Sequence, residues 1–266
     1  MANPLRDPAP AEIQLATSPL HRVLIVINFP AILKISEESG IIRFQDRIRS
    51  RYPKLNREQQ TGIEFQVGPQ GEMMPPRNVT QNIWRFVSED DRWRVTLAAE
   101  FIALETAEAY RNREDFLDRI KIILNIFTEE FQPSFSSRIG VRYLNVLDLD
   151  DVGSLQKVVR TGLRSLSDTE IVEQIETSNH MVTFNVPEGK LLSRWGVLPP
   201  NMVHDPNILT PKGVTRWYLD LDCINEESLS FGNDAMLGRC RNMMERIYSF
   251  FRWSMTDDFI EARRNA

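Results

Sequence analysis

The sequence predicts an α+β protein, with mostly antiparallel sheets, helices packed on one side of them and a long helix at the C-terminus. Segments with strand-like spacing come in groups of neighbours, and helices interrupt these groups instead of alternating with single strands. Hydrophobic residues make up 42% and charged residues 26% of the chain, which is typical of folded proteins and argues against global disorder. The 266 residues are enough for one large domain or two small ones.

We expect a flexible tail over residues 1–16, which are rich in proline and alanine, followed by a single domain over 17–266. The domain divides into two halves, 17–150 and 151–266, which contain similar elements in a different order. No repeat with a period in the range of about 20–50 residues is visible in the letters themselves.

In the first half, the apolar pattern predicts a central strand, a group of further strands and two helices. The stretch 23–27 is wholly apolar, which is typical of a strand covered on both faces. One helix stops before Pro53, and the other follows Asn112, whose side chain can cap the helix N-terminus. The predicted strands cover 21–29, 61–67, 82–88, 92–105 and 138–151, the helices 37–51 and 112–131, and a Gly- and Pro-rich loop 68–78.

In the second half, the pattern predicts a helix, four strands and a final long helix, with an irregular loop before the last strand. The predicted helices cover 154–166 and about 233–262, the strands 170–176, 180–187, 190–198 and 216–224, and the loop 199–213.

The final helix carries large apolar residues on more than one side. Its main stripe consists of Met236, Cys240, Met243, Ile247, Phe251 and Met255. Phe250 and Trp253 project away from this stripe, since neighbouring residues are turned by about 100° around a helix. We therefore expect Phe250 or Trp253 to be buried against another element or a second subunit, and both are interface candidates.

Two features indicate the compartment. Cys223 and Cys240 lie in apolar surroundings and match no zinc spacing, so we expect buried free thiols. The first 20 residues contain no apolar signal segment, and no run approaches the roughly 18 apolar residues that span a bilayer. We expect a cytoplasmic protein with no membrane partner.

Charge and motifs narrow the possible functions. The formal net charge of -5 disfavours nucleic acid as a partner, although a local basic groove stays compatible with it. His21, His180 and His204 are not clustered as metal ligands usually are, and no known nucleophile or phosphate-binding motif is present. We therefore expect no metal and no cofactor, and the sequence reveals no catalytic residue.

The remaining candidates are charged residues on the solvent-facing sides of predicted strands. Three interpretations stay open: arginines and carboxylates that neutralise one another, a ligand groove, or a carboxylate pair for a cation or acid–base chemistry. Candidate ligand- or partner-binding residues are Arg85, Arg94, Glu100, Arg142, Asn145, Arg194, Asp220 and Asp222.

Two of these candidates carry specific expectations. Arg142 should contact a carboxylate of a neighbouring strand, for which Glu100, Asp220 and Asp222 are candidates. Asn145 is the one amide on the apolar face of its strand, so we expect it to be buried and hydrogen-bonded to backbone where the sheet bends.

From about Ser18 to Phe259, the chain resembles a sporadically distributed, functionally uncharacterised family of prokaryotic proteins. The resemblance rests on SPLHRVLIVINFP, FQDRIRSRYP, FVSEDDRWRVTLAAEFIALETAEAYRNREDFLDRI, KLLSRWGVLPPN, WYLDLDC and an arginine–glycine–arginine–tyrosine–asparagine motif at Arg138, Gly140, Arg142, Tyr143 and Asn145. Met243 and Met244 stand where the family's final helix often carries a histidine, which puts a histidine-based role there in doubt. The patchy distribution implies an accessory, defence or toxin–antitoxin role.

Two hypotheses about function follow. The leading one is a non-catalytic protein-interaction or regulatory protein that docks a protein partner or a second copy of itself. The alternative is a binder of a small molecule, a nucleotide or single-stranded nucleic acid, or an enzyme, that uses the arginine- and aspartate-lined sheet face. A flat, self-paired face favours the first hypothesis and a deep pocket favours the second.

Overall fold

The computed structural model describes residues 3–64, 77–152, 154–231 and 233–264, and it has the predicted α+β architecture. Its strands are β1 (Leu20–Asn28), β2 (Lys54–Glu64), β3 (Arg77–Val87), β4 (Trp93–Ala98), β5 (Phe101–Ala107), β6 (Phe135–Ser136), β7 (Arg138–Asp148), β8 (Ser178–Val186), β9 (Gly189–Leu198), β10 (Arg216–Asn225) and β11 (Leu229–Ser230). Nine described strands form one antiparallel sheet in the order β2-β3-β4-β5-β1-β7-β10-β9-β8, and β6 pairs with β11.

Helices cover one face of this sheet. They are α1 (Glu38–Ile48), α2 (Arg113–Phe131), α3 (Leu149–Val152), α4 (Leu155–Val158), α5 (Asn233–Ser254) and α6 (Asp257–Arg263), with single 3-10 turns at Leu33–Ser36, Thr161–Leu163, Ser165–Asp168 and Val172–Gln174. The two long helices, α2 and α5, pack side by side, and α5 lies on β7 and β10. Strand alternation points Val23, Ile25 and Ile27 at the helices, where they belong to the main core. We call this side the helix face and the opposite side the open face.

The two halves of the sheet have a similar topology, with five described strands in the first and four in the second. Each half begins with a strand, β1 or β7, which is followed by a helical segment. An antiparallel meander comes next, and its last strand, β5 or β10, pairs with the first strand of that half. A long helix (α2 or α5) then follows. Because β1 and β7 pair antiparallel at the centre, a pseudo-two-fold axis relates the halves. The order of elements is therefore similar in the two halves when the division is placed before β7.

Several of the predicted elements have different bounds. The predicted strand over 92–105 is two strands, because the chain turns at Ala99 and Glu100. The predicted strand over 170–176 is a series of turns, in which Ile171 is 46% exposed because no neighbouring strand covers it. β2 starts earlier than predicted, since an edge strand needs no apolar alternation. Residues 65–76, with most of the predicted loop, lie outside the described residues.

Two helices, α2 and α6, begin directly after residues whose side chains cap them. Asn112 caps α2 as predicted, because its side chain accepts a hydrogen bond from the Asp115 N–H at 2.8 Å. The predicted helix over 154–166 ends after one turn, since Val159 is extended and pairs with Met255. The C-terminal helix breaks after α5, and the Thr256 side chain then caps α6.

The described residues of the expected flexible tail over 1–16 form hydrogen bonds with the helix layer. Arg246 donates to the Pro4 carbonyl at 2.7 Å, and the Tyr248 hydroxyl accepts from the Ile13 N–H at 2.8 Å. The Arg246 side chain is buried, so these hydrogen bonds form away from competing water.

The expected burial of Phe250 or Trp253 against another element is confirmed. Phe250 is buried, and its ring lies 5.4 Å from that of Phe184 on β8. Trp253 is half-buried, with its ring 5.4 Å from Phe250. Phe250 therefore packs within the chain and offers no surface to a second subunit.

Cys223 and Cys240 are buried and free, as predicted. Burial raises the pKa of both thiols to about 12, so they stay protonated at neutral pH. Both cysteines act as small apolar core residues.

Candidate functional site

Arg142 on β7 and Asp220 on β10 form the centre of a polar cluster on the open face. Arg142 donates through Nε and Nη2 to the two carboxylate oxygens of Asp220, at 2.8 and 2.7 Å. Arg194, directly opposite Asp220 on β9, donates to Oδ2 at 3.1 Å. The prediction that Arg142 contacts a carboxylate of a neighbouring strand is confirmed.

The segment between β9 and β10, residues 199–215, covers this cluster, and we call it the cap loop. The Nε2 atom of His204 lies 3.3 Å from Asp220 Oδ2. Asp205 accepts a hydrogen bond from Arg142 Nη1 at 3.1 Å, so two carboxylates hold one guanidinium. The Asp220 side chain is 0% exposed as a result.

The cap loop also builds a second small core on the open face. Its members are Leu144, Leu198, Ile208, Leu209 and Tyr218. The His204 ring stacks on Tyr218, with 4.3 Å between the ring centroids. Arg216 fixes both ends of the loop, because its guanidinium donates to the Met202 and Thr210 carbonyls, each at 3.0 Å. The cap loop is therefore a packed element of the fold.

The charge state of the cluster follows from its partners. Burial by itself would raise the pKa of Asp220, but the hydrogen bonds and charges of Arg142 and His204 outweigh it and lower the pKa to about 2. Burial raises the pKa of the neighbouring Asp222, and the charge of Arg142 offsets this only in part. Asp220 is thus ionised at neutral pH, which suits it to pairing with arginine and not to donating a proton.

A second, matching cluster lies on the open face of the first half. Glu105 on β5 accepts a hydrogen bond from Arg22 on β1 at 2.8 Å. Its other carboxylate oxygen lies 2.9 Å from Nη1 of Arg94 on β4. The sequence analysis identified Arg94 but missed both Arg22 and Glu105.

The two clusters occupy equivalent positions in the two halves. In each cluster, the carboxylate residue stands opposite an arginine on one neighbouring strand and opposite a leucine on the other. A second arginine lies two residues before that leucine. The equivalent residues are Arg22 and Arg142, Leu24 and Leu144, Glu105 and Asp220, and Arg94 and Arg194. A faint sequence signal accompanies the repeat, since RVLIV at 22–26 and RYLNV at 142–146 share arginine, leucine and valine at the same spacing.

Among the described residues, the first cluster has no counterpart of the cap loop. A short turn joins β4 to β5 where the second half has the cap loop. Leu24 is half-buried, whereas Leu144 is 1% exposed. Two arginines share one carboxylate, and the Nε–H groups of Arg22 and Arg94 are buried without a partner in the described structure. The first cluster is thus less satisfied in charge and in hydrogen bonding than the second.

Three predicted candidates lie apart from the hydrogen-bonded clusters. Arg85 on β3 forms an ion pair with Glu58 on the edge strand, at 2.8 Å. Glu100 is exposed in the β4–β5 turn, so its assignment to the sheet face is wrong. Asp222 pairs with Arg142 across the strands, whereas the side-chain hydrogen bonds of that arginine go to Asp220 and Asp205.

Asn145 is buried and bonded to backbone, as predicted. Its Nδ2 donates to the carbonyl of Leu219 at 3.3 Å. It also pairs with Leu20, next to the register shift between Leu20 and Arg22, where the ladder is irregular. Ile25 takes the equivalent place in the first half.

A cavity of about 410 Å³ lies on the helix face beside Asn145. The N-terminal segment forms one wall, and Tyr110 and Tyr143 form another, with their hydroxyl oxygens 3.2 Å apart. Burial raises the pKa of both tyrosines, which keeps them neutral. Arg113 also lines the cavity and donates to Glu245 at 2.6 Å.

In the described ranges, no three His, Cys, Asp or Glu side chains are placed to hold a metal ion. None of the described helices has the length and hydropathy needed to cross a membrane. No protein-family model matches the chain, and no curated protein is significantly similar to it.

Proposed function

We propose that the chain is a non-catalytic protein-interaction protein, and that the open face of its first half is the binding surface. One observation carries this proposal: Leu24, beside the Arg22–Glu105–Arg94 cluster, is half-buried, while its equivalent Leu144 is buried beneath the cap loop. A charged group beside apolar surface is the composition of a protein-binding patch.

The chemistry of the clusters supports binding over catalysis. Their side chains are arginines and carboxylates that already neutralise one another. Asp220, with a pKa of about 2, stays ionised near neutral pH, where a general acid or base needs a pKa close to the working pH. The resemblance to a sporadically distributed family supports an accessory or defence role for the interaction.

The proposal can be tested by affinity purification of the wild-type protein and an Arg94→Ala variant, with bound proteins quantified by mass spectrometry. Arg43→Ala is the matched control, because Arg43 is an exposed arginine on α1, away from the open face. We expect a partner that the wild type and Arg43→Ala retain and Arg94→Ala loses. Equal recovery with all three proteins would refute the proposed surface.

The cavity on the helix face favours a second candidate function, the binding of a small molecule. Its volume of about 410 Å³ lies within the usual range for ligand pockets, and Tyr110, Tyr143, Asn145 and Arg113 supply polar contacts. Native mass spectrometry of the protein purified from its host tests this candidate. A bound compound that is lost on Asn145→Ala would favour it, whereas an unliganded mass would count against it.

A further inference from the structure

The cap loop shows what kind of segment this type of sheet face accepts. Within the chain, Asp205 supplies a carboxylate to Arg142 at 3.1 Å. Three and four residues later, Ile208 and Leu209 fill the apolar patch next to that arginine. One short segment therefore satisfies a charge and covers an apolar surface at the same time.

The first half presents the same surface without such a segment. Arg22 occupies the place of Arg142 but has a single carboxylate partner, Glu105. Leu24 and Val26 are half-buried on the open face. In the first half, therefore, a group from another molecule can take the place that Asp205 has in the second half and can cover the apolar surface beside it.

From these observations we infer that the open face of the first half binds a partner protein through a segment with an acidic residue followed, three and four residues later, by bulky apolar residues. The inference rests on the proposed function and names the chemistry of its partner. The first cluster has two arginines and one carboxylate, and this excess positive charge favours the binding of a second carboxylate. The apolar part of the surface and the net charge of -5 favour a protein segment over the repeated phosphates of nucleic acid.

A peptide copy of the cap loop, NMVHDPNILTPK (201–212), provides a direct probe. We expect the fluorescein-labelled peptide to bind the intact wild-type protein in an anisotropy titration. A peptide with Asp205→Asn should bind about tenfold more weakly, since a charge-assisted hydrogen bond is lost. A peptide with Ile208→Ser and Leu209→Ser should bind about tenfold more weakly or not at all.

Protein variants locate the binding surface. Arg22→Ala and Arg94→Ala should each weaken binding of the wild-type peptide at least about fivefold, while Arg43→Ala leaves it unchanged. Using two arginine variants keeps the test decisive if one of them does not fold. Affinity that does not depend on Asp205 of the peptide or on Arg94 of the protein would overturn the inference, as would absence of binding at millimolar peptide.

Two further measurements separate this inference from other occupants. Displacement of the peptide by unlabelled oligothymidylate would overturn it in favour of nucleic acid, and a dimer that Arg94→Ala abolishes would overturn it in favour of a second copy. If Arg94→Ala loses a protein partner from the host while the peptide fails to bind, the proposed function stands and the segment chemistry is wrong.

Discussion

The two halves of the sheet contain the same arginine–carboxylate–arginine cluster in different surroundings. In the second half, Asp220 is buried under the cap loop, and Asp205 and His204 complete its network. In the first half, Glu105 holds two arginines, and no second carboxylate or histidine joins them among the described residues. The difference indicates that the clusters share a structural origin, the joining of three neighbouring strands, and under our proposal the first of them binds another molecule.

The comparison predicts unequal costs for removing the two carboxylates. Asp220→Ala should lower the free energy of unfolding by about 3–5 kcal/mol, because Arg142 and Arg194 would lose their shared partner under the cap. Glu105→Ala should cost about 1–2 kcal/mol, since Arg94, with a side chain that is 35% exposed, can turn to water. Urea unfolding measures both values, and equal losses would contradict the distinction between a sealed and an open cluster.

The equivalent leucines, Leu144 and Leu24, provide a second test of the difference in burial between the two halves. Leu144→Ala should cost about 2–5 kcal/mol, as expected for a buried side chain whose neighbours cannot collapse around the gap. Leu24→Ala should cost less than about 1.5 kcal/mol, because Leu24 is half-buried and water already reaches it. Thermal melting of the two variants tests this, and a Leu24→Ala loss as large as that of Leu144→Ala would mean that the first half is covered too.

The buried cluster should also be visible in the pH dependence of stability. The pKa of Asp220 in the folded protein is about 2, below the value of about 3.9 for an unfolded aspartate. Its ionised form therefore stabilises the fold by about 2–3 kcal/mol above the unfolded pKa, and this contribution is lost as the pH falls from about 5 to 2. The gap in stability between wild type and Asp220→Asn should shrink over that range, and a gap independent of pH would be inconsistent with this account.

A smaller effect on stability is expected for Asn145, which lies on the helix face at a position where the two halves differ. Asn145 replaces the isoleucine of the first half and bonds to the Leu219 carbonyl. Asn145→Ala should cost about 1–3 kcal/mol, the usual penalty for leaving a buried polar group without its partner. An unchanged melting temperature would show that the hydrogen bond adds nothing to stability.

Local patterns in the sequence were sufficient to predict some of these features. The central strand, the Asn112 cap, the buried Asn145 and the contact of Arg142 with a carboxylate of a neighbouring strand all follow from patterns within a segment or between two clear strands. Each depends on side-chain direction alone, which the strand or helix period specifies.

Features that depend on register could not be predicted in this way. Glu105 was missed because the turn at Ala99 and Glu100 carries no proline or glycine, so one strand was assigned across it and the side of the sheet given to the later residues was wrong. Arg22 was missed because its partner lies 83 residues away. The cap loop reads as an irregular Pro-rich stretch, and its role appears only once β10 is paired with β7 and β9.

The most direct test of the central claim is the number of cap-loop peptides that one chain binds, measured by native mass spectrometry. The wild type should bind one copy of the peptide 201–212, on the first half. A variant with Asp205→Ala, Ile208→Ala and Leu209→Ala, which weakens the hold of the cap loop on the second half, should bind two. One copy on the wild type and two on the variant would support the equivalence of the halves. No binding to the wild type, or the same number on both proteins, would contradict it.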